Sequence, residues 1–139
     1  MNNPIWVMTS AFKSLRLEQV IAKTKEIGAQ GMELCVFRSN GTRADHVATH
    51  LDYDSFGPED ARRLVATCNR EGLRFSIGAY DNLIGGDPAQ RVLNQNHLLK
   101  LIRIAYLCGG DQNDVRVGTF VGYDAELGAQ DGGFEKNLL

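Results

Sequence analysis

Three times along this chain an amphipathic stretch ends on glycine and soon gives way to a short apolar run. Leu17, Val20, Ile21, Thr24 and Ile27 recur at spacings of three and four, so they share one helical face, and Gly28 follows them. Ala61, Leu64, Val65 and Cys68 repeat the pattern before Gly72. Leu98, Leu101, Ile102 and Ala105 repeat it again before Gly109 and Gly110, with Lys100 and Arg103 turned elsewhere. Glycine suits each place because helices commonly end on a left-handed residue that lacks a Cβ. The runs that follow are Met32–Phe37, Arg74–Tyr80 and Val115–Val121, the last interrupted by Gly118 and closed by Gly122. A further run, Ile5–Thr9, opens the chain and reads as a buried first strand. The order is therefore βαβαβαβ plus a Gly-rich polar tail, which predicts a parallel α/β sheet with helical crossovers. We expect strands near Ile5–Thr9, Met32–Phe37, Phe75–Tyr80 and Val115–Phe120, in spatial order 1-2-3-4, with the helices on one convex side. An order of 2-1-3-4 would instead indicate a flavodoxin-like sheet.

Helix starts are marked less evenly. Ser14 is a candidate N-cap for the first helix. Gly57-Pro58-Glu59-Asp60 announces the second, with proline at the first helical position and acids in the first turn. Asp87-Pro88 caps the third. The helix-to-strand connections are short, whereas the strand-to-helix connections are long and rich in Asp, Asn, Gly, His and Arg. In α/β barrels and open sheets alike, ligands bind beyond the carboxyl ends of the strands. The polar residues of this chain are concentrated there.

With 139 residues and no linker, one domain is expected, residues 1–139. A net charge of −2 without a basic run argues against a nucleic-acid partner. No apolar run is long enough to span a membrane, and the N-terminus lacks a signal-peptide pattern. Cys35, Cys68 and Cys108 are odd in number, far apart and embedded in apolar segments, so they read as reduced core residues of a cytoplasmic protein.

Several segments in series resemble a known family. They are Leu17-Glu18…Ile27-Gly28…Gly31-Met32-Glu33-Leu34, then Glu71-Gly72-Leu73, then Gly85-Gly86-Asp87-Pro88, then His97-Leu98…Ala105…Gly109, leading into Thr119-Phe120-Val121-Gly122. From about Pro4 to Tyr123 the chain is similar to the N-terminal half of the xylose isomerase-like TIM barrels, most of all the sugar phosphate isomerase/epimerase group. The resemblance implies half of a (β/α)₈ barrel, strands one to four and a tail. It implies a sugar substrate, a divalent metal (Mn, Mg or Zn), and proton transfer next to a carbonyl. In that family the metal ligands come from later strands, so no metal ligand is assigned within this chain. The isolated chain is accordingly expected to show no sugar isomerase activity with added Mn²⁺ or Mg²⁺. Whether the protein is an enzyme by itself is left open.

Candidate site residues follow from position and type. His46 and His50 stand four apart, near Asp45, Asp52 and Asp54, after the second strand; a solvated polar loop is the plainer reading. His50 is the foremost substrate-contact candidate because that loop should overhang the barrel mouth. Glu33 and Arg116 each place one charge in an apolar strand, and a lone buried carboxylate is costly. We expect them to face one interior and form a buried ion pair or share a water; the plainer reading is that one of them faces outwards at a strand end. Asn82 and Asp87, with Gly85 and Gly86, follow the third strand and could approach a ligand or form a turn and a helix cap. Trp6 and Phe12 could stack on a sugar or belong to the core. His97 reads as a packing or capping histidine. Catalytic residues stay unassigned; Glu33, His50, Trp6, Arg116 and Asn82 are the substrate-binding candidates.

Two alternatives stand beside this one. The first is an open α/β nucleotide-binding domain, against which the first strand runs into Ser10-Ala11-Phe12-Lys13 rather than a Gly-rich phosphate loop. The second is a non-catalytic half-barrel or assembly module, whose exposed sheet edges a homo-oligomer could cover. The related DNA-repair endonucleases fit less well, since no histidine-rich metal site is visible and the chain is acidic.

Overall fold

The computed structural model describes residues 3–38, 49–109 and 115–119. Four parallel strands, β1 (Trp6–Met8), β2 (Gly31–Cys35), β3 (Arg74–Gly78) and β4 (Val117–Gly118), form one sheet in the order 1-2-3-4. Three helices connect them: α1 (Leu17–Glu26), α2 (Pro58–Glu71) and α3 (Pro88–Gly109). This is the expected α/β class, and the order is not the flavodoxin-like one. Among the described residues no helix is long and apolar enough to cross a membrane.

The glycine stops act as their positions suggest. Gly28 and Gly72 adopt φ of +78° and +68°, and each ends a helix. At the other end of α2 the Gly57 N–H donates to the Asp60 side chain at 3.0 Å, with Pro58 in the first turn. In α3 the Gln90 N–H donates to the Asp87 carboxylate at 3.3 Å. The first helix differs from expectation. It begins at Leu17, two residues too late for Ser14 to cap it, and the Gln19 side chain accepts from the Arg16 N–H at 2.9 Å instead.

Register decides which side chains meet. Trp6 lies opposite Gly31 and Gly31 opposite Arg74; Met8 opposite Glu33 and Glu33 opposite Ser76; Cys35 opposite Gly78 and Gly78 opposite Gly118. Partnered residues of a parallel sheet point to the same side, and the sides alternate along each strand. One side carries Met32, Leu34, Val36, Phe75, Ile77 and Ala79, which pack with Val20, Ile21, Ala61, Leu64, Cys68, Leu101, Ile104 and Cys108 of the three helices. That side is the core. The other side carries Trp6, Met8, Glu33, Cys35, Ser76 and Tyr80, and it is the face on which a site can form.

Two buried expectations are corrected. β1 is an edge strand of three residues, with Trp6 and Met8 exposed rather than covered on both faces. In α3, Leu101 and Ala105 are buried as expected, but Ile102 is exposed. The core-facing set there is His97, Leu101, Ile104, Ala105 and Cys108, so the true stripe lies to one side of the one inferred. Within the described residues β4 covers only two positions of the expected Val115–Phe120 run, and Phe120 lies outside them.

Candidate functional site

Glu33 is the only carboxylate of β2, and two glycines make room for it. A Cβ on Gly78 would sit 2.7 Å from Glu33 Oε1, and one on Gly118 would sit 3.0 Å from Oε2. The carboxylate therefore lies across β3 toward β4, over ground that any side chain would occupy. The Tyr80 hydroxyl, two residues beyond Gly78 on the same side of the sheet, donates to Oε1. Burial, the hydrogen bond to Glu33 and the carboxylate's negative charge all raise the Tyr80 pKa. Tyr80 thus stays a neutral donor that fixes one carboxylate oxygen, while the other lies over Gly118.

Arg116 was expected to be Glu33's partner. It does fall on the same side, one step before the Ile77–Val117 pair. Arg116 is nevertheless exposed, so the two charges do not share a buried interior. The Glu33 carboxylate leans over the Gly78–Gly118 gap, toward the carboxyl ends of the strands.

His50 is half-buried and pins two loops together. Its Nε2 lies 3.1 Å from the Leu15 carbonyl, which can only accept, so Nε2 carries the proton. Its Nδ1 then accepts from the Thr9 hydroxyl at 3.2 Å. The Thr9 oxygen in turn accepts from the Cys35 N–H at 2.9 Å. Every group in this chain of bonds is used once in the correct sense, and both ring nitrogens are committed within the protein. Thr9, fully buried, follows β1 directly, so His50 ties the loop after β2 to the turn after β1 (Thr9–Ala11).

The remaining candidates fall in different places. Trp6 packs flat on Gly31 near the amino ends of the strands, where the Arg74 guanidinium stands 5.9 Å from its ring. Phe12 packs on the core. Asn82 is a turn residue: its side chain accepts from the Ile84 and Gly85 N–H groups at 3.2 and 2.9 Å. Its carbonyl accepts from Asn94 at 2.7 Å. His46 and Asp45 lie outside the described residues. His97 is buried, its Nδ1 2.9 Å from the Asp81 carboxylate, with the Tyr53 ring at 4.6 Å. Of the sequence-derived candidates, only Glu33 belongs to the Glu33–Tyr80 cluster. Tyr80 carries no charge to mark it in the sequence, although strict alternation from Gly78 puts it on the same face.

A cleft of about 720 Å³ opens elsewhere, between α1 and α2 on the core side of the sheet. Leu17, Ile21 and Leu64 line it with Lys25, Arg63 and His50. Its cations already have partners, Arg63 on Asp60, Arg70 on Glu71 and Lys25 on the Glu71 carbonyl. Among the described residues no three His, Cys, Asp or Glu side chains gather as a metal site. No protein-family model matches the chain, and no curated protein does.

Proposed function

We propose that the face bearing Glu33 and Tyr80 is part of the sugar-binding cup of a (β/α)₈ isomerase or epimerase. The observation that carries this reading is the carboxylate fixed by Tyr80 over Gly78 and Gly118, at the carboxyl ends of parallel strands. Sequential strand order, with all helices on one side, fits a barrel segment. In this reading Glu33 Oε2 accepts a hydrogen bond from a substrate hydroxyl, and the carboxylate is placed to take up or return a proton next to the carbonyl carbon. Tyr80 keeps that carboxylate in one orientation, which lowers the cost of positioning it at the moment of reaction. The described residues do not fit a divalent metal, and no step here runs through one. In this reading such an ion is held by residues outside them.

The nucleotide-binding alternative gains nothing from the fold, because β1 passes into a single tight turn at Thr9–Ala11 and not into a phosphate loop opening a helix.

Saturation-transfer NMR with aldoses and ketoses tests the proposal. Millimolar binding that perturbs the Tyr80 ring signals is expected, and it should weaken at least tenfold in Glu33→Gln while the far-UV spectrum is unchanged. No transfer from any sugar, or equal transfer in Glu33→Gln, would refute it.

A further inference from the structure

Buried polar atoms without a partner are rare in folded proteins, and each calls for an explanation. Among the described residues Arg38 Nε, Arg91 Nε and Asn94 Oδ1 are of this kind, and all three belong to the start of α3. Arg38 stands just beyond β2 and reaches across to α3, where its Nη2 donates to the Gln90 side chain at 2.7 Å. Arg91 folds back on the loop after β3, its Nη2 3.4 Å from the Gly86 carbonyl. Asn94 donates to the Asn82 carbonyl of the same loop, which leaves its own amide oxygen unused. Gln90, Arg91 and Asn94 are neighbours on the helix surface, since residues three and four apart lie side by side.

The two arginines share a second property. Among the described residues neither guanidinium lies within ion-pair distance of a carboxylate, whereas Arg63 and Arg70 each hold one. The acids of this corner are engaged elsewhere. Asp87 accepts from the Gln90 N–H, and Asp81 takes His97. Because Asp87 already caps α3, the arginines and not the helix end supply the positive charge. A guanidinium stays charged and presents five donors. Each of these two is half-buried and gives one hydrogen bond to a neutral oxygen. A cation held in place with a sealed, unfilled donor is costly until an acceptor reaches it.

We infer that this corner is an oxyanion site, in which Arg38 and Arg91 donate to the oxygens of one anion and Asn94 Oδ1 accepts from a hydroxyl on it. An anion with several oxygens can accept from both guanidinium groups at once, the pairing for which arginine is best shaped. The unused Asn94 oxygen adds a requirement, because it can only accept. The occupant is therefore a small oxyanion that also carries an O–H. A partly protonated phosphate or a hydroxycarboxylate meets both demands; sulfate and acetate meet only the first. The inference does not rest on the proposed sugar site, since neither Glu33 nor Tyr80 takes part in it.

The arginine Nε–H groups are themselves the reporters, in ¹H–¹⁵N spectra of the full chain near neutral pH, assigned by their loss in Arg38→Lys and Arg91→Lys. Inorganic phosphate at millimolar concentration is expected to shift both Nε–H signals along one titration curve, and glycolate to do the same. Sulfate and acetate should bind about threefold or more weakly, for want of the hydroxyl. Arg38→Lys and Arg91→Lys keep the charge but lose the fork, and each should weaken phosphate about fivefold. Arg63→Lys, at a residue paired with Asp60 in the α1–α2 cleft, should leave it unchanged. Signals that stay still in tens of millimolar phosphate would overturn the inference, as would two separate curves or equal shifts with chloride. Equal affinity for sulfate and phosphate would overturn the part assigned to Asn94. The wild-type titration decides the matter even where a variant fails to fold.

Discussion

Gly78 and Glu33 illustrate how one residue's absence of side chain decides another's position. Gly78→Ala would bring a methyl to 2.7 Å from Glu33 Oε1, closer than real Cβ contacts fall. The carboxylate must then move and leave the Tyr80 hydroxyl. We expect Gly78→Ala to destabilise the fold by about 1–3 kcal/mol, the ordinary cost of overpacking. In a Glu33→Ala background the same change should cost clearly less, because the space is empty. Urea midpoints of the four proteins check this; equal costs in both backgrounds would show that the two residues do not compete. The sequence makes Glu33 conspicuous as a lone carboxylate in an apolar strand. Matching charges between alternate strands does not reveal Tyr80, which the carboxylate reaches through the empty volume over Gly78 and Gly118. His50 is a similar case. Its loop position suggests a ligand contact, but the Thr9 and Leu15 bonds that occupy both nitrogens depend on three segments meeting in space.

At the scale of elements, α3 is bolted to the loop that follows β3. Asn94 donates to the Asn82 carbonyl, Gln95 to the Leu83 carbonyl at 2.9 Å, and His97 pairs with Asp81. From the other side, Lys100 pairs with Asp54 and stands 5.4 Å from the Tyr53 ring, while Tyr53 packs on His97. His97 thus joins the loops after β2 and β3, both at the carboxyl end of the sheet. Its Nε2 has no hydrogen-bond partner among the described residues, so the Asp81 bond is its single polar anchor. We expect His97→Ala to cost about 2–4 kcal/mol, from lost packing and an unpaired Asp81. Hydrogen exchange should quicken over residues 81–86 before it does in β2. Uniform quickening across the sheet would instead mean that His97 is ordinary core. Element identity was largely legible here, since helical periodicity, glycine stops and the Gly57-Pro58 start are local signals. The phase of α3 is less so: with apolar residues on more than one face, periodicity alone does not say which turns inward, and Ile102 is exposed where its spacing predicts burial.

For the whole molecule, the titrating groups with raised pKa values predict an asymmetric response to pH. Burial pushes the Cys68 thiol up to about 12, with Cys108 nearby adding to the effect, and burial pushes the Cys108 thiol up to about 11. Tyr80 is raised as well. A group whose folded pKa exceeds its unfolded one contributes stability that is complete below the unfolded value and is lost as pH rises toward the folded one. For the two thiols that loss begins near 9, the ordinary thiol value, and runs to about 11 and about 12. Each thiol that ionises only on unfolding contributes a slope of about 1.4 kcal/mol per pH unit. The two together make the alkaline fall steep against a total stability of about 5–15 kcal/mol. Tyr80 steepens the fall above pH 10. On the acid side Asp52, lowered chiefly by its hydrogen bonds from Ser55, contributes stability above about 3.8 that is lost as pH falls further. Being fully exposed, it gives only a shallow limb. Urea unfolding under reducing conditions at several pH values should therefore show a plateau through neutrality and a steep alkaline fall. The Cys68→Ala/Cys108→Ala double variant should be less stable at pH 7, because two core side chains are shortened, yet decline less steeply above pH 9. A double variant with the wild-type slope would assign the alkaline limb to other groups.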